Sequence, residues 1–213
     1  MLRATEVRSL ILFAILTLAI GDLALALEEP AFEVVAVRDD YEVRRYEPYI
    51  VAEVDVVASS EQGAGNTAFG ILAGYIFGDN RKRTKMAMTA PVESTQAGEK
   101  MSMTAPVESV ATGGTYTYAF VMERKYTLDT LPEPVDPRIR IVTRPARHVA
   151  VLRYSGSWSE KNSRRHQAEL MRALDADGLA PEGPVTLARF NSPFALPVFR
   201  RNEIQVEVDW PST

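Results

Sequence analysis

The chain has 213 residues, of which 46% are hydrophobic and 24% charged, the balance expected of a soluble globular protein with one domain of ordinary size. Its net charge of −4 disfavours a nucleic acid as the main partner. The chain has no cysteine, which excludes disulfides, thiolate metal sites, cysteine nucleophiles and covalently attached c-type haem. Its only two histidines, His148 and His166, exclude a multi-histidine metal cage.

Residues 1–26 have the order of a secretory signal, with two arginines, an apolar run at Leu10–Ile20 and a small–x–small site that ends at Ala26. We therefore expect cleavage after Ala26 and an exported, periplasmic or extracellular protein. The mature chain, 27–213, would then be a single domain without membrane attachment. The alternative is an uncleaved membrane anchor, but Asp22 interrupts the apolar run and no stop-transfer cluster of charges follows it.

Alternating apolar residues and turn signals predict several short strands and two helices in the mature chain. The helices are predicted at Ser59–Phe77 and Trp158–Ala176. The strands are predicted at Tyr41–Tyr46, Tyr49–Val57, Lys85–Val92, Lys100–Val107, Tyr116–Met122, Arg138–Arg144, His148–Tyr154, Val185–Asn191 and Glu203–Val208.

The order of these elements indicates an internal duplication. Two strand pairs, interrupted by Pro48 and Pro145, each lead into a helix that is followed by further strands. This predicts an α+β domain built from a duplicated half of strand pair, helix and strand pair, with a curved antiparallel sheet and two helices.

A ten-residue motif, Lys85–Ser94, recurs as Lys100–Ser109 with nine identical positions at an offset of 15 residues. As strands, the two copies would place four methionines on one face. We interpret these methionines as core lining, since burial of a strand requires alternating apolar residues. The alternative is a thioether site in a Cu(I) carrier, because soft sulfur ligands suit Cu(I). The four methionines are Met86, Met88, Met101 and Met103.

The repeat resembles the SOUL haem-binding protein family, in which paired M-T-x-P-V segments are a signature. The resemblance extends from about Phe32 to Val208 and identifies the chain as a bacterial, exported member. It implies a distorted antiparallel β-barrel with two flanking helices, and noncovalent binding of haem b or another tetrapyrrole in an apolar cleft. Further segments carry the resemblance: Tyr41–Tyr46, Gly74–Asn80, Tyr126–Pro132, Pro145–Val151, Tyr154–Gly156 and Arg200–Glu203.

The first predicted helix is apolar almost all round, which is typical of a helix that is buried or covered by something else. We take its ligand-contacting candidates to be Phe69, Leu72, Tyr75 and Ile76, beside room for a flat ring. The alternative is close packing of the helix on the sheet. A basic run follows the helix, and next to an apolar groove it would meet carboxylates on the ligand edge, although such runs are usually solvated turns. Its candidate residues are Arg81, Lys82 and Arg83.

An apolar loop near the C-terminus, Phe190–Arg201, is the other candidate wall of the cleft, because it is too apolar for ordinary solvent exposure. In the family this loop and the first helix flank the proposed cleft. The resemblance therefore implies ligand-binding roles for Phe190, Phe194, Phe199, Arg200 and Arg201.

His166 is the candidate ligand for haem iron, at the margin of the apolar stripe of the second helix. The alternative is a packed or capped histidine. We find no Gly-x-Ser-x-Gly motif, no phosphate-binding glycine loop and no clustered His, Asp and Ser, so we expect a binding protein and not an enzyme. The expected ligand is haem or a related tetrapyrrole, with another amphipathic small molecule or Cu(I) as alternatives.

Overall fold

A computed structural model describes residues 27–82 and 98–211 of the chain. The predicted signal segment, 1–26, lies outside the described residues. Neither helix of the described part is long and apolar enough to cross a membrane. The strands are β1 (Phe32–Val37), β2 (Glu42–Tyr46), β3 (Tyr49–Val57), β4 (Asn80–Arg81), β5 (Val107–Thr112), β6 (Thr115–Val121), β7 (Glu133–Pro134), β8 (Arg140–Arg144), β9 (Arg147–Tyr154), β10 (Thr186–Arg189) and β11 (Asn202–Glu207). The helices are α1 (Glu61–Phe77) and α2 (Glu160–Ala176), and a 3-10 turn spans Pro197–Phe199.

Nine of these strands form one antiparallel sheet in the order β1-β2-β9-β11-β10-β5-β6-β3-β8, curled into a half-barrel. Apart from the edge strand β1, the order is symmetric about the junction of β10 and β5. On one side α1 packs on β3 and β6, and on the other side α2 packs on β9 and β11. The predicted α+β fold, with two helices on a curved antiparallel sheet, is confirmed.

The two strands that flank Pro48, β2 and β3, are not hydrogen-bonded to each other, and neither are β8 and β9, which flank Pro145. Instead β2 pairs with β9 and β3 pairs with β8, so one strand of each half is hydrogen-bonded to a strand of the other half. The linkers explain this exchange. A two-residue hairpin turn requires residues that accept a positive φ, and neither Glu47-Pro48 nor Pro145-Ala146 supplies one. The chain therefore crosses into the other half instead of folding back on itself.

The helices begin at well-formed caps and differ in how much of their surface they bury. Ser60 and Ser159 are the N-caps, and each hydroxyl accepts a hydrogen bond from a backbone amide of the first turn. Helix α2 buries Leu170 and Leu174 against its half of the sheet. Helix α1 buries more of its surface in the larger core cluster, through Ala64, Ala68, Leu72, Tyr75 and Ile76.

Strand alternation divides the sheet into two chemically different faces. On β3, Ala52 and Val54 face α1, whereas Val51 lies on the opposite face in a small cluster with Tyr46 and Val121. Beyond that cluster the opposite face is lined by paired arginines and carboxylates. Hydrophobic packing therefore dominates the helix face, and ion pairs dominate the other.

The second copy of the repeat differs from the predicted strand at Lys100–Val107. Regular strand structure begins only at Val107, where β5 starts. Thr104 and Ala105 are both buried in succession, which breaks the alternation that a strand face would show. The hydroxyl of Thr104 donates to the Val121 carbonyl, and the backbone amides of Met101 and Ala105 donate to the Ile76 and Glu28 carbonyls. Isolated hydrogen bonds therefore hold the segment in place of a strand ladder. The first copy, predicted as a strand at Lys85–Val92, lies outside the described residues.

Candidate ligand-binding site

A cleft of about 780 Å³ opens on the helix side of the sheet, where the two halves meet. Its volume lies within the range of about 300–1,000 Å³ that is usual for small-molecule sites. We call it the aromatic cleft, because its walls are Phe69 of α1, Tyr118 and Phe120 of β6, and Trp158 before α2. Its polar rim is formed by Ser60, Glu61, Gln62, Asn66, Ser159, Glu160, Arg189 and Asn191.

The periodicities of β6 and α1 place their aromatic side chains on the side of each element that faces this cleft. Tyr118 and Phe120 are two apart on β6 and therefore share a face. Phe69 lies four residues after Gly65 on α1 and packs edge-on against Phe120, with 5.5 Å between the ring centroids. A Cβ atom at Gly65 would lie only 3.0 Å from the Tyr118 hydroxyl, so glycine lets α1 approach the sheet closely here.

Arg189 of β10 is the arginine of the cleft lining, and 14% of its side chain is exposed. It forms an ion pair with Glu61 of α1, and its guanidinium lies 5.4 Å from the centroid of the Trp158 ring. Its Nε atom is buried and has no hydrogen-bond partner in the described part of the chain. The nearby Tyr118 hydroxyl donates to the Glu61 carbonyl at 3.0 Å, and burial raises the pKa of that phenol. The cleft thus presents a largely buried cation among aromatic rings.

Both helices begin at the aromatic cleft, since Ser60 and Ser159 line it. The N-terminal end of a helix carries a partial positive charge and free backbone amides, which favour anionic groups. Glu61 and Glu160 lie in the first turns and partly offset that charge. The rim therefore combines two helix N-termini with the guanidinium of Arg189.

Of the four ligand contacts predicted on the first helix, the structure places Phe69 in the aromatic cleft, with 43% of the residue exposed. Leu72, Tyr75 and Ile76 are at most 2% exposed and lie in the core between α1 and the sheet. The Tyr75 hydroxyl donates to the Pro132 carbonyl at 2.7 Å. These three side chains are core residues, because the helix face that carries them packs directly on β3 and β6.

The structure does not bring the predicted basic run to the aromatic cleft. Arg81 belongs to β4, which pairs with β7, and the Lys82 ammonium lies 3.8 Å from the Glu99 carboxylate. Both residues follow the C-terminal end of α1, whereas its N-terminal half lines the cleft. The 17 residues of α1 separate the two ends by about 25 Å. Arg83 lies outside the described residues.

The apolar loop borders the cleft through Asn191 and Pro193. Its three phenylalanines do not line the cleft. Phe194 and Phe199 are 95% and 75% exposed, and Phe190 is partly buried beneath the Arg201 guanidinium. The loop is therefore a neighbour of the cleft, with its aromatic side chains directed elsewhere.

Arg200 and Arg201 hold this loop in place. Arg200 donates to two backbone carbonyls of the loop at 2.8 and 2.9 Å, and its guanidinium lies 4.4 Å from the Trp158 ring centroid. Arg201 pairs with Glu203 and with Glu29 at 2.8 and 2.9 Å. Both arginines are thus engaged within the protein, in contrast to the ligand-pairing role expected from the sequence.

His166 lies away from the lining of the aromatic cleft. Its ring stacks on Tyr154 with 4.1 Å between centroids. Its Nδ1 atom lies 2.6 Å from a Glu169 carboxylate oxygen, and its Nε2 atom lies 2.8 Å from Arg165 Nη2. The residues that the structure describes contain no cluster of three or more His, Asp or Glu side chains that could hold a metal ion.

The methionines of the second repeat copy lie where the core interpretation places them. Met101 is 5% exposed in the core beneath α1, and Met103 packs against the same core. Met86 and Met88 of the first copy lie outside the described residues. For the described pair, the structure agrees with core lining.

Sequence reasoning missed the contributions of β6 and of Arg189 to the site. Tyr116, Tyr118 and Phe120 form an alternating aromatic stripe within a predicted strand, and this signal would have identified the β6 wall. Arg189 carries no comparable signal, because its partner Glu61 lies 128 residues away in the chain. Only folding brings the two together.

The fold and the aromatic cleft define a class of α+β proteins in which two helix–sheet halves share one curled antiparallel sheet, with a cavity where they meet. The chain belongs to the SOUL heme-binding protein family, whose model matches residues 27–207. The human protein named Heme-binding protein 2 is 28% identical over 166 residues, which cover 77% of this chain and 76% of that protein. The family predicted from the repeat is confirmed.

Solved structures with the same fold have very different sequences. The C-terminal domain of EcmrR superposes with a TM-score of 0.59 at 9% identity, covering 84% of this chain and 98% of that one. A hydrolase from Listeria innocua superposes with a TM-score of 0.52 at 16% identity, covering 82% of this chain and 94% of that one. At these identities the likeness shows the shared fold alone.

Proposed function

We propose that the protein binds haem or a related tetrapyrrole noncovalently in the aromatic cleft. The observation that carries the proposal is the cleft itself, in which four aromatic residues and a largely buried guanidinium surround about 780 Å³. Membership of a family described as heme-binding supports this class of ligand.

The aromatic walls suit the flat apolar body of such a ligand. Phe69 is 43% exposed, so apolar surface remains at the cleft for a ring to cover. Burial of apolar surface contributes about 25 cal/mol per Å², so covering about 200 Å² would contribute about 5 kcal/mol. Ring burial is therefore the main source of affinity in this proposal.

The polar rim suits the carboxylates of the ligand. Arg189 takes the role that the sequence predicted for the basic run and for Arg200 and Arg201. A ligand carboxylate would compete with Glu61 for its guanidinium, and a charge-assisted hydrogen bond there would contribute about 1.5–3 kcal/mol. The two helix N-termini at Ser60 and Ser159 would favour the same negative charge.

Bound haem would supply an iron centre capable of redox chemistry. The cleft lining, within the described residues, contains no histidine. The proposed site therefore holds the porphyrin through its ring and its carboxylates, and it should accept metal-free protoporphyrin as well as haem.

A titration of the full-length mature protein with haem, followed by the Soret band, tests the proposal. We expect saturable binding, and we expect Arg189→Met to weaken both haem and metal-free protoporphyrin about tenfold. Arg172→Met, at an exposed position of α2 outside the cleft lining, is the matched control and should leave both affinities unchanged. Absence of saturable binding, or equal affinities of the parent and Arg189→Met, would rule the proposal out.

A second candidate is another amphipathic small molecule in the same cleft, with a cationic edge. It is favoured by the carboxylates of Glu61 and Glu160, which lie beside the aromatic walls. If this candidate is correct, a cationic amphipathic dye will bind more tightly than haem, and Glu160→Gln will weaken the dye. Glu169→Gln on α2, outside the cleft lining, is the control.

We further propose that the protein is a bacterial, exported binding protein without catalytic activity. The signal-like order of residues 1–26 supports export, and the absence of a recognisable catalytic motif in the sequence supports a binding role. The intact mass of the protein recovered from the periplasm or the medium should correspond to a chain that begins at Leu27. Retention of residues 1–26 on a membrane-bound species would contradict export by cleavage.

A further inference from the structure

A second cleft, of about 510 Å³, lies on the face of the sheet opposite the helices. We call it the charged cleft, because five carboxylates and three arginines line it. The arginines are Arg140 and Arg144 of β8 and Arg147 of β9. Strand alternation places these side chains on the opposite face from the aromatic cleft, so the two clefts are separate sites.

At one end of the charged cleft the charges already satisfy one another. Glu53 accepts hydrogen bonds from Arg140 and Arg144 at 3.0 and 2.7 Å. Asp55 accepts from Arg140 at 2.7 Å and from the Thr117 hydroxyl at 2.7 Å. This end needs no ligand to balance its charges.

Arg147 is the exception at the other end. Its Nη2 atom donates to the Tyr49 hydroxyl at 2.7 Å, and its guanidinium lies over the Tyr46 and Tyr49 rings at 5.9 and 5.2 Å from their centroids. Its Nη1 atom is buried and has no hydrogen-bond partner in the described part of the protein. By contrast, the buried Arg44 forms two hydrogen bonds with the carboxylate of Glu203. Arg147 is thus a guanidinium at the cleft that has a free donor and no bonded carboxylate.

The surroundings of Arg147 restrict what could supply the missing acceptor. Glu108 accepts a hydrogen bond from the Tyr49 hydroxyl at 2.7 Å, and Glu207 of β11 lines the same cleft. A simple anion would be repelled by these two carboxylates, and a simple cation would leave the free donor of Arg147 without a partner. A molecule that carries both charges meets both requirements.

We propose that the charged cleft binds a small zwitterion, whose carboxylate pairs with Arg147 and whose ammonium group pairs with Glu207. Such a ligand supplies an acceptor to the free donor of Arg147 and adds no net charge to an acidic cleft. This site is separate from the aromatic cleft, so the outcome of the test for tetrapyrrole binding does not decide whether the zwitterion binds.

Three probes with the same four-carbon chain test the contribution of each charge. They are 4-aminobutyrate, which carries both charges, butyrate, which carries only the negative charge, and butylammonium, which carries only the positive charge. Each is titrated into the full mature protein, and backbone amide shifts are followed by NMR. We expect saturable shifts around the charged cleft with 4-aminobutyrate, at an affinity at least about tenfold above that of either single-charge probe. Equal affinities, or no saturable shift with 4-aminobutyrate at millimolar concentration, would overturn the proposal.

Variants assign the two charges to the two residues. Arg147→Met should abolish saturable binding of 4-aminobutyrate, whereas Arg153→Met, an exposed position on the same strand outside the cleft lining, should leave it unchanged. Should Arg147→Met fail to fold, Glu207→Gln serves as the test, since Glu207 is exposed. It should remove the advantage of 4-aminobutyrate over butyrate, and survival of that advantage would refute the assignment.

Discussion

The aromatic cleft and the charged cleft lie on opposite faces of one sheet and are lined by neighbouring residues of the same strand. Tyr118 and Phe120 of β6 face the aromatic cleft, while Thr117 and Ala119 face the charged cleft. Helices cover the first face, so large apolar side chains are buried there. The other face has no helix packed on it within the described residues, and it carries ion pairs. A single alternating strand can thus contribute to two chemically unrelated sites.

The two faces should also differ in how they stabilise the fold. Burial of apolar side chains is the dominant favourable term on the helix face. Buried ion pairs contribute little net stability, yet they become very costly when one partner is removed. The ionic face should therefore show the largest response to a single substitution, and the aromatic face should show graded responses.

The largest effect is expected from Glu203→Ala on the ionic face. Glu203 is fully buried and pairs with Arg44, of which only 4% is exposed. Loss of the carboxylate removes both hydrogen bonds between the buried guanidinium and Glu203, and it leaves Arg44 with only the partly exposed carboxylate of Glu42. It should lower the free energy of unfolding by about 3–5 kcal/mol. Urea denaturation measures the effect. Glu33→Ala, which breaks an exposed pair with Arg45, is the control and should cost no more than about 1 kcal/mol. Similar losses in the free energy of unfolding for the two variants would contradict the expected difference between a buried and an exposed ion pair.

The next effect is expected on the helix face from Leu72→Ala. Leu72 is fully buried between α1 and the sheet, so its truncation leaves a cavity and should cost about 3 kcal/mol. Leu196→Ala removes the same atoms from a side chain that is 64% exposed and should change stability by less than about 0.5 kcal/mol. Haem affinity should stay unchanged in folded Leu72→Ala. A large loss of affinity would instead place Leu72 at the ligand.

A smaller effect is expected from alkaline pH, which acts on a buried tyrosine of each face. Burial raises the pKa of Tyr46, on the ionic face, and of Tyr154, on the helix face, to about 12. A tyrosine in the unfolded chain ionises near pH 10. Their contribution to stability is complete below pH 10 and is lost as the pH rises from 10 to 12, because the unfolded state releases its protons first.

Each of these tyrosines should contribute about 2 kcal/mol to that loss. Denaturant midpoints measured between pH 9 and 12 should fall in the parent, and Tyr154→Phe should fall less steeply. A midpoint that stays level across this range would show that the two phenols ionise as readily in the folded protein as in the unfolded chain.

The smallest effect is expected from removing one aromatic wall of the aromatic cleft. Phe69→Ala should weaken haem about tenfold, or about 1.4 kcal/mol, because its ring lines the cleft. Phe77→Ala removes an exposed ring from the same helix outside the cleft lining, and its haem affinity should match the parent. Fluorescence quenching by haem measures both. If the two variants lose affinity equally, the ligand lies along α1 and not in the cleft between the halves.

Sequence patterns predicted the elements well and their pairing less well. The periodicity of Ser59–Phe77 and Trp158–Ala176 located both helices to within two residues, because capping serines and apolar spacing are local properties. The exchange of β2 and β8 between the halves had no local signal. It depends on which distant strand offers free backbone groups, and a linear pattern does not record that choice.

The sequence by itself determined the family, the fold class and the likeness of the two halves, because repeats, caps and alternation are properties of neighbouring residues. Only the tertiary structure decided which apolar and basic residues face a cavity. The predicted set on α1 was divided between cleft and core: Phe69 lies at the junction of the halves, while Leu72, Tyr75 and Ile76 pack on the sheet. Arg189 reached the cleft through an ion pair with Glu61, 128 residues away. Such contacts join residues from distant parts of the chain, so they exist only once the two halves have closed on one another.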